Sequence, residues 1–165
     1  MVDEVHEGGH DGGFQFTGSW DHTLDDKGRI VIPQGLRDAL SPDFIMTVSS
    51  DNTLLMFPMG EWERVMRNLR EKESQVPDAA YAARRVRYYA NRIKVDTNGR
   101  VVIPPTLRDR LFFTDGQSEL NAKVKVYLIG DGSRIELMSE KHFNEEYLPM
   151  MNVNATLSKQ KALGL

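Results

Sequence analysis

The chain has 165 residues, 40% of them hydrophobic, and a formal net charge of −3 at pH 7. This length suits one domain or two small ones, with enough apolar side chains for a compact core. It contains no cysteine, which excludes a disulfide framework and thiol chemistry. No apolar run approaches a membrane span, and the acidic start is unlike a signal peptide, so we expect a soluble cytoplasmic protein without a membrane partner.

The N-terminal segment Met1–Gly13 is polar and rich in glycine, which predicts disorder. It contains His6-Glu7-Gly8-Gly9-His10, a match to the H-E-x-x-H pattern of zinc peptidases. That chemistry needs both histidines on one face of a helix, and the two glycines cost roughly 2 kcal/mol of helix propensity. We therefore expect no catalytic residues, no metal site and no cofactor here.

A ten-residue stretch occurs twice, with a displacement of 71 residues. The copies are LDDKGRIVIP at Leu24–Pro33 and VDTNGRVVIP at Val95–Pro104. The match continues into GLR at 35–37 and TLR at 106–108. An internal repeat of this kind predicts a fold built from two related halves.

Within each copy, an extended segment meets a short run of turn-forming residues and then an apolar run. Asp25 favours the start of a turn, and Gly28 can take positive φ, which predicts a β-hairpin with a glycine bulge. Pro33 suits the first turn of a following helix. The consecutive apolar residues Ile30–Ile32 predict a strand that is covered on both faces.

The spacing Asp-x-x-x-Arg places an acid and a base at the two ends of each turn. One interpretation is a structural ion pair across the turn, which contributes little if it is exposed. The other is an arginine on a rigid hairpin tip, oriented by the aspartate to bind a phosphate. The sequence leaves both interpretations open.

The segments FTGSWDHTLDDKGRIVIP, NTLLMFPMGEWE and VDTNGRVVIPPTLR resemble the MraZ family of bacterial proteins, over about Phe16 to Leu148. The resemblance implies an α+β fold that is mainly β: tandem AbrB-like (SpoVT-AbrB) repeats in a swapped-hairpin β-barrel, with a pseudo-two-fold axis and flanking helices. It also implies a sequence-specific DNA-binding transcriptional regulator of the division and cell-wall gene cluster, including its own gene. Such a protein binds short promoter repeats in double-stranded DNA as a homo-oligomeric ring and is associated with the nucleoid.

On this resemblance, the candidate DNA-binding residues are Arg29, Arg100 and Lys27. The remaining motif residues would support the turns: Asp25, Gly28, Asp96 and Gly99. The second turn has Asn98 where the first has Lys27, so the two turns are not expected to contribute equally.

Charge is unevenly distributed, since residues 1–26 hold seven acids and no Lys or Arg. A segment from Arg84 to Arg100 carries six basic residues and only Asp96 as an acid. It is either a stripe that contacts DNA or a solvated helix face. The possible stripe consists of Arg84, Arg85, Arg87, Arg92 and Lys94, beside Arg100.

The remaining pattern predicts the other elements in the same order in both halves. In the first half we expect a short helix with Leu36, Arg37 and Leu40, strands at Phe44–Val48 and Thr53–Phe57, and a helix with the stripe Trp62, Val65, Met66 and Leu69. A joint at Ser74–Asp78 and a helix at Ala79–Ala90 follow. In the second half we expect an insertion within Phe113–Lys123, strands at Val124–Ile129 and Arg134–Met138, and a helix from about Glu140.

The expected organisation is an acidic extension, a first repeat, a helical connection, a second repeat and a C-terminal helix end with a tail. The bounds are 1–15, 16–64, 65–90, 91–143 and 144–165. Three other classes stay open: an AbrB-like antitoxin with a toxin-binding tail, a structural ring protein without specific DNA binding, and an enzyme. We expect no enzymatic activity and no small-molecule substrate, because the glycine-interrupted HEGGH is the sole enzyme motif.

Overall fold

The computed structural model describes residues 15–40, 42–112 and 123–165. The HEGGH pattern and residues 113–122 of the predicted insertion lie outside these ranges. The strands in the described part are β1 (Ser19–Leu24), β2 (Arg29–Val31), β3 (Asp43–Val48), β4 (Leu54–Pro58), β5 (Asn91–Lys94), β6 (Arg100–Val102), β7 (Val124–Asp131) and β8 (Arg134–Ser139). The α-helices there are α1 (Gln34–Leu40), α2 (Met59–Gln75), α3 (Ala79–Tyr88), α4 (Pro105–Leu111), α5 (Glu140–His142), α6 (Leu148–Asn152) and α7 (Asn154–Ala162), with a π-helical turn at Phe143–Tyr147.

The strands form a six-stranded antiparallel sheet in the order β1-β7-β8-β4-β3-β5 and a two-stranded ribbon of β2 and β6. The first strand of each half pairs with a strand of the other half, since β1 pairs with β7 and β5 with β3. The predicted α+β fold is confirmed. Strands from both halves therefore pair with each other in one sheet and in one ribbon.

Of the hairpin predicted in each repeat, the turn is present and the pairing of its two strands is not. The turn closes, because the Asp25 amide donates to the Arg29 carbonyl at 3.0 Å. However, β1 continues along β7 and β2 along β6, so these two strands do not pair with each other in a ladder. Sequence-local turn chemistry predicted the turn, whereas strand partners some 70 or more residues away determine the pairing.

The prediction that the first apolar run is covered on both faces is wrong. Ile30 and Ile32 are buried, but Val31 is 43% exposed. In the second copy Val101 and Ile103 are buried and Val102 is 54% exposed. Successive side chains alternate across a strand, so the ribbon has one face in the core and one face at the surface.

The core is built from equivalent residues of both halves. Leu36 and Leu40 of α1 are buried, as are Leu107 and Leu111 of α4. They pack in one cluster with Ile30, Ile32, Val101, Ile103 and the inward residues of the sheet. Each such side chain contributes about 1.5–3 kcal/mol on burial, so the ribbon and its following helices are held firmly on the sheet.

Helices α2 and α3 pack on the outer side of β3 and β4. The stripe of α2 is half-buried within the chain, with the Trp62 ring 5.9 Å from that of Phe57. The Thr47 hydroxyl donates to the Val86 carbonyl at 2.7 Å, which ties α3 to β3. Helices lie at both predicted positions, and α2 extends into the first two residues of the predicted joint at Ser74–Asp78.

The C-terminal segment leaves the sheet after β8. The ring of Phe143 stacks on Tyr127 of β7 at a centroid distance of 3.9 Å, which anchors the π-helical turn. Beyond it, every residue from Leu148 to Leu165 is exposed. Within the described residues, the helices are too short or too polar to cross a lipid bilayer.

Candidate nucleic-acid interface

The first turn is organised by the carboxylate of Asp25. Its Oδ1 accepts from the backbone amides of Lys27 at 3.0 Å and Arg29 at 2.8 Å. Its Oδ2 accepts from Arg29 Nε at 2.7 Å. The carboxylate therefore fixes both the backbone of the turn and the direction of the arginine side chain, whose two Nη groups make no hydrogen bond within the described residues.

The second turn repeats this arrangement bond for bond. Asp96 Oδ1 accepts from the amides of Asn98 at 2.8 Å and Arg100 at 2.9 Å. Asp96 Oδ2 accepts from Arg100 Nε at 3.0 Å. The arginine side chains are exposed to a similar degree, 38% for Arg29 and 41% for Arg100.

These hydrogen bonds lower the pKa of both carboxyl groups. The Arg29 amide is the main cause for Asp25, and the Arg100 amide is the main cause for Asp96. An amide N–H donated to a carboxylate stabilises its charged form. Both aspartates are consequently ionised at neutral pH and remain able to hold their arginines.

The ribbon of β2 and β6 brings the two arginines onto one surface. Arg29 lies opposite Val102, and Val31 lies opposite Arg100. Side chains that are opposite or two residues apart share a face of a ladder, so these four form the outer face of the ribbon. The two arginines are diagonal neighbours on it, about 7–8 Å apart by ladder geometry.

The two turns are also bonded to each other across the halves. The Ile32 amide donates to the Gly99 carbonyl at 2.9 Å, and the Ile103 amide donates to the Gly28 carbonyl at 2.8 Å. Both glycines have φ of +74° and are buried. Each turn is thus fixed by a backbone bond from the other half of the chain.

Two further arginines, which the sequence analysis did not assign, complete this arrangement. Arg37 of α1 lies over Gly99, and Arg108 of α4 lies over Gly28. Arg37 also donates from Nη2 to the Ile32 carbonyl at 2.9 Å. The signal for both was present in the sequence, because they are the arginines of the repeated GLR and TLR.

The predicted basic stripe is divided by the fold. Arg85 points inward and donates to the Ser49 carbonyl at 2.7 Å, and Arg87 pairs with Glu73. Arg84 is exposed on α3, where its guanidinium lies 5.3 Å from the centre of the Tyr81 ring. Only Arg92 and Lys94, on β5, lie beside the two turns.

A recess of about 360 Å³ lies between the ribbon and β5. Its charged lining residues are Arg29, Arg92, Lys94, Arg100 and Asp96. The Arg92 Nε donates to Asp43 Oδ2 at 2.6 Å, which orients that side chain along the strand edge. Lys27, in the first turn, is exposed and outside the lining of this recess.

Within the described residues, no group of His, Asp and Glu side chains is arranged to hold a metal ion. The surface is instead an exposed ribbon face with two oriented arginines. Such a face can bind anionic groups by charge-assisted hydrogen bonds.

Comparisons with known proteins identify the family of the chain. Residues 15–85 match the family model of the MraZ protein, which is described as antitoxin-like. A transcriptional regulator MraZ of Clostridium acetobutylicum is 32% identical over 91% of this chain and 99% of its own length. Those of Roseiflexus castenholzii and Halothermothrix orenii are 31% and 35% identical, over 88% and 78% of this chain and 95% and 83% of their own lengths.

These relatives place the chain among transcriptional regulators and not among enzymes. The expectation of no enzymatic activity agrees with the names of the relatives. More specifically, the chain belongs to the MraZ family, which confirms the resemblance drawn from the repeated motif.

Proposed function

We propose that this chain regulates transcription by sequence-specific binding of double-stranded DNA through the outer face of the β2–β6 ribbon. The observation that carries the proposal is the pair of matched turns, each with an arginine whose Nε is held by an aspartate. In this proposal Arg29 and Arg100 contact the DNA, and Lys27 adds a phosphate contact from the first turn.

The shape of the ribbon supports this function. The major groove of B-DNA is about 12 Å wide and admits a two-stranded β-ribbon. An arginine that is held at Nε presents its Nη groups, which can bind guanine O6 and N7 or a phosphate oxygen. The exposed Val31 and Val102 lie between the arginines and offer apolar contact to a thymine methyl group.

The rigidity of the ribbon supports it further. A side chain that must be ordered on binding costs about 0.5–1.5 kcal/mol. Arg29 and Arg100 are already ordered by Asp25 and Asp96, and the turns are fixed by reciprocal bonds to Gly28 and Gly99. This cost is therefore largely removed before DNA is bound.

We further propose that several chains act together as a homo-oligomeric ring on short tandem repeats. The targets implied by the resemblance are promoters of the division and cell-wall gene cluster, including that of this protein's own gene, so the protein would be associated with the nucleoid. One ribbon offers few contacts, and linking several can raise avidity by roughly 10²–10⁴.

Exposed apolar side chains supply surfaces for such assembly. The stripe of α2 is half-buried within the chain, so more exposed residues offer a larger surface for contacts between chains. Tyr81 and Tyr88 of α3 are 74% and 75% exposed. The C-terminal segment adds Leu148, Met150, Met151, Val153, Leu157, Leu163 and Leu165. Exposed apolar side chains in these two segments are the candidate contacts between chains in this proposal.

The test is a gel shift with DNA from upstream of the protein's own gene, with a scrambled duplex of the same length as the control. Light scattering coupled to size-exclusion chromatography measures the mass of the free protein in parallel. We expect an oligomer that shifts the upstream DNA and not the scrambled duplex at about 150 mM salt. Equal binding of both duplexes would contradict sequence-specific regulation, and a ring that binds neither would favour a structural role.

A further inference from the structure

The residues that line the recess beside the ribbon differ in charge from those at the matching positions of the other half of the chain. The displacement of 71 residues maps Arg92 onto Asp21 and Lys94 onto Thr23. The lining therefore has four cations and one carboxylate on the β5 side. At the matching positions on the β1 side there are two cations and two carboxylates. The cations are the same two turn arginines, and the carboxylates are Asp21 and Asp25.

Ion pairs with neighbouring residues cancel most of the charge difference between the two sides, and one residue accounts for what remains. Asp43 pairs with Arg92 on the β5 side, and Lys125 Nζ lies 3.3 Å from Asp21 Oδ2 on the β1 side. The remaining difference is that the β5 side has Lys94, which is exposed at the edge of the recess, where the β1 side has the neutral Thr23. The charge of Lys94 is consequently the main break in symmetry along the strands that flank the ribbon.

We propose that this recess is a binding subsite for a DNA backbone phosphate, and that its cation Lys94, which the β1 side does not have, fixes the direction in which the ribbon lies on DNA. Arg29 and Arg100 supply oriented guanidinium groups, and Lys94 supplies a mobile ammonium group at the edge of a recess large enough for a phosphate. A ribbon flanked by two sides of equal charge would bind a site in either direction.

This inference rests on the proposed function, because it assigns a subsite and a polarity to the same DNA surface. It has a direct physical consequence. The side of the repeat that lies over β5 gains a phosphate contact that the β1 side does not have, and phosphate contacts position a protein on the duplex. Each chain therefore binds its repeat with one polarity.

The absence of cysteine from the chain makes the polarity measurable. Asp26 and Thr97 are exposed, equivalent positions in the two turns. The variants Asp26→Cys and Thr97→Cys, each labelled with an iron chelate that cleaves DNA by hydroxyl radicals, are bound to a duplex that contains one repeat. We expect the two labels to cleave on opposite sides of that repeat, each on one side only.

Introducing Lys94→Thr, which gives the β5 side the residue of the β1 side, should move part of the cleavage by each label to the other side of the repeat, with Lys27 against Asn98 as the remaining difference between the turns. It should also weaken binding by roughly tenfold at low salt and reduce the slope of log affinity against log salt by about one. The control Lys72→Thr, on α2, removes the same charge and should leave the cleavage pattern and the slope unchanged.

Two-sided cleavage by the protein with Lys94 intact would overturn the proposal, and so would a one-sided pattern that Lys94→Thr does not alter. Both results are obtained on bound DNA, so they leave the proposed function standing. A protein that fails to bind its upstream DNA at all would instead contradict the proposed function itself.

Discussion

The guanidinium group of Arg37 lies directly over Gly99, although the two residues belong to different halves of the chain. A Cβ atom placed on Gly99 would lie 2.1 Å from the Cζ of Arg37. Arg108 covers Gly28 in the same way, at 2.7 Å from Cδ and Nε. Glycine is thus required in each turn for two reasons. It adopts a positive φ, and a side chain there would overlap the arginine from the other half.

Replacing either turn glycine by alanine should destabilise the protein. We expect Gly99→Ala and Gly28→Ala each to lower the free energy of unfolding by about 1–3 kcal/mol, because a strained φ is added to a steric overlap. Gly99→Ala should cost more, since its overlap is closer. Urea unfolding followed by circular dichroism measures both.

The matched control for these variants is Gly60→Ala on α2. Nothing lies within 4 Å of a Cβ at that position, and its φ is not positive. Alanine there should leave stability unchanged or raise it by up to about 1 kcal/mol. If Gly99→Ala were as stable as Gly60→Ala, the close packing of Arg37 on the second turn would be wrong.

The two covering arginines should differ in their contribution to stability. Arg37 satisfies the Ile32 carbonyl, whereas the Nε of Arg108 is buried and makes no hydrogen bond within the described residues. Arg37→Met should therefore cost about 1–3 kcal/mol for an unsatisfied carbonyl. Arg108→Met should cost less, because it removes a buried polar group that has no partner. Equal losses in thermal unfolding would contradict this distinction.

Much of the fold could be predicted because the sequence repeats itself. Turn-forming residues and the periodic spacing of apolar residues predict most of the elements. These are the two turns, the short helices after Pro33 and Pro104, and the strands β3, β4, β7 and β8. These elements depend on interactions close in sequence. The predicted element types therefore agree with the structure over most of the described chain, with small differences at the ends.

The parts that were missed depend on contacts between the halves. The partners of β1 and β2 are β7 and β6, and no local pattern specifies them. Val31 was expected to be covered, because a run of three apolar residues does not show which of them faces out. The roles of Arg37 and Arg108 were missed for the same reason, since each acts on a glycine of the other half.

The turn arginines should be needed for DNA binding and not for folding. The double variant Arg29→Ala, Arg100→Ala should lose DNA binding in a gel shift and keep its circular dichroism spectrum, because both side chains are well exposed. Of the single variants, Arg29→Ala should have the larger effect, since Lys27 gives its turn a second charge that Asn98 does not. Unchanged affinity in the double variant would rule out these residues as the site.

Acid should loosen the two turns together. The pKa of Asp25 and that of Asp96 are lowered from the ordinary value of 3.8. A carboxyl group whose folded pKa is lowered adds stability above its unfolded pKa, and that stability is lost as the pH falls through the folded pKa. The contribution of both turns should therefore be complete at neutral pH and disappear below about pH 4.

The variants Asp25→Asn and Asp96→Asn test this dependence on pH. Each should unfold at a lower temperature than the unmodified protein near pH 7, and the difference should narrow as the pH falls below about 4. The difference narrows because aspartate becomes neutral when it is protonated, whereas asparagine is neutral at every pH. A difference that is constant from neutral to acidic pH would show that these carboxylates do not stabilise the turns through their charge.

Assembly should make DNA binding depend on the spacing of repeats. Each chain has two arginine turns on one ribbon face, which gives weak binding alone. In a ring, later contacts are effectively intramolecular, provided that successive repeats present the same face of the duplex at about 10 base pairs per turn. Inserting about 5 base pairs between repeats rotates the next repeat by half a turn.

We therefore expect the insertion to reduce the affinity for a multi-repeat duplex by roughly 10²-fold or more, although every repeat is intact. An insertion of about 10 base pairs is the control, because it restores the helical phase and should recover most of the affinity. Fluorescence anisotropy at fixed salt measures all three duplexes. If a single isolated repeat binds as tightly as the full array, one chain carries the recognition and the ring adds no affinity.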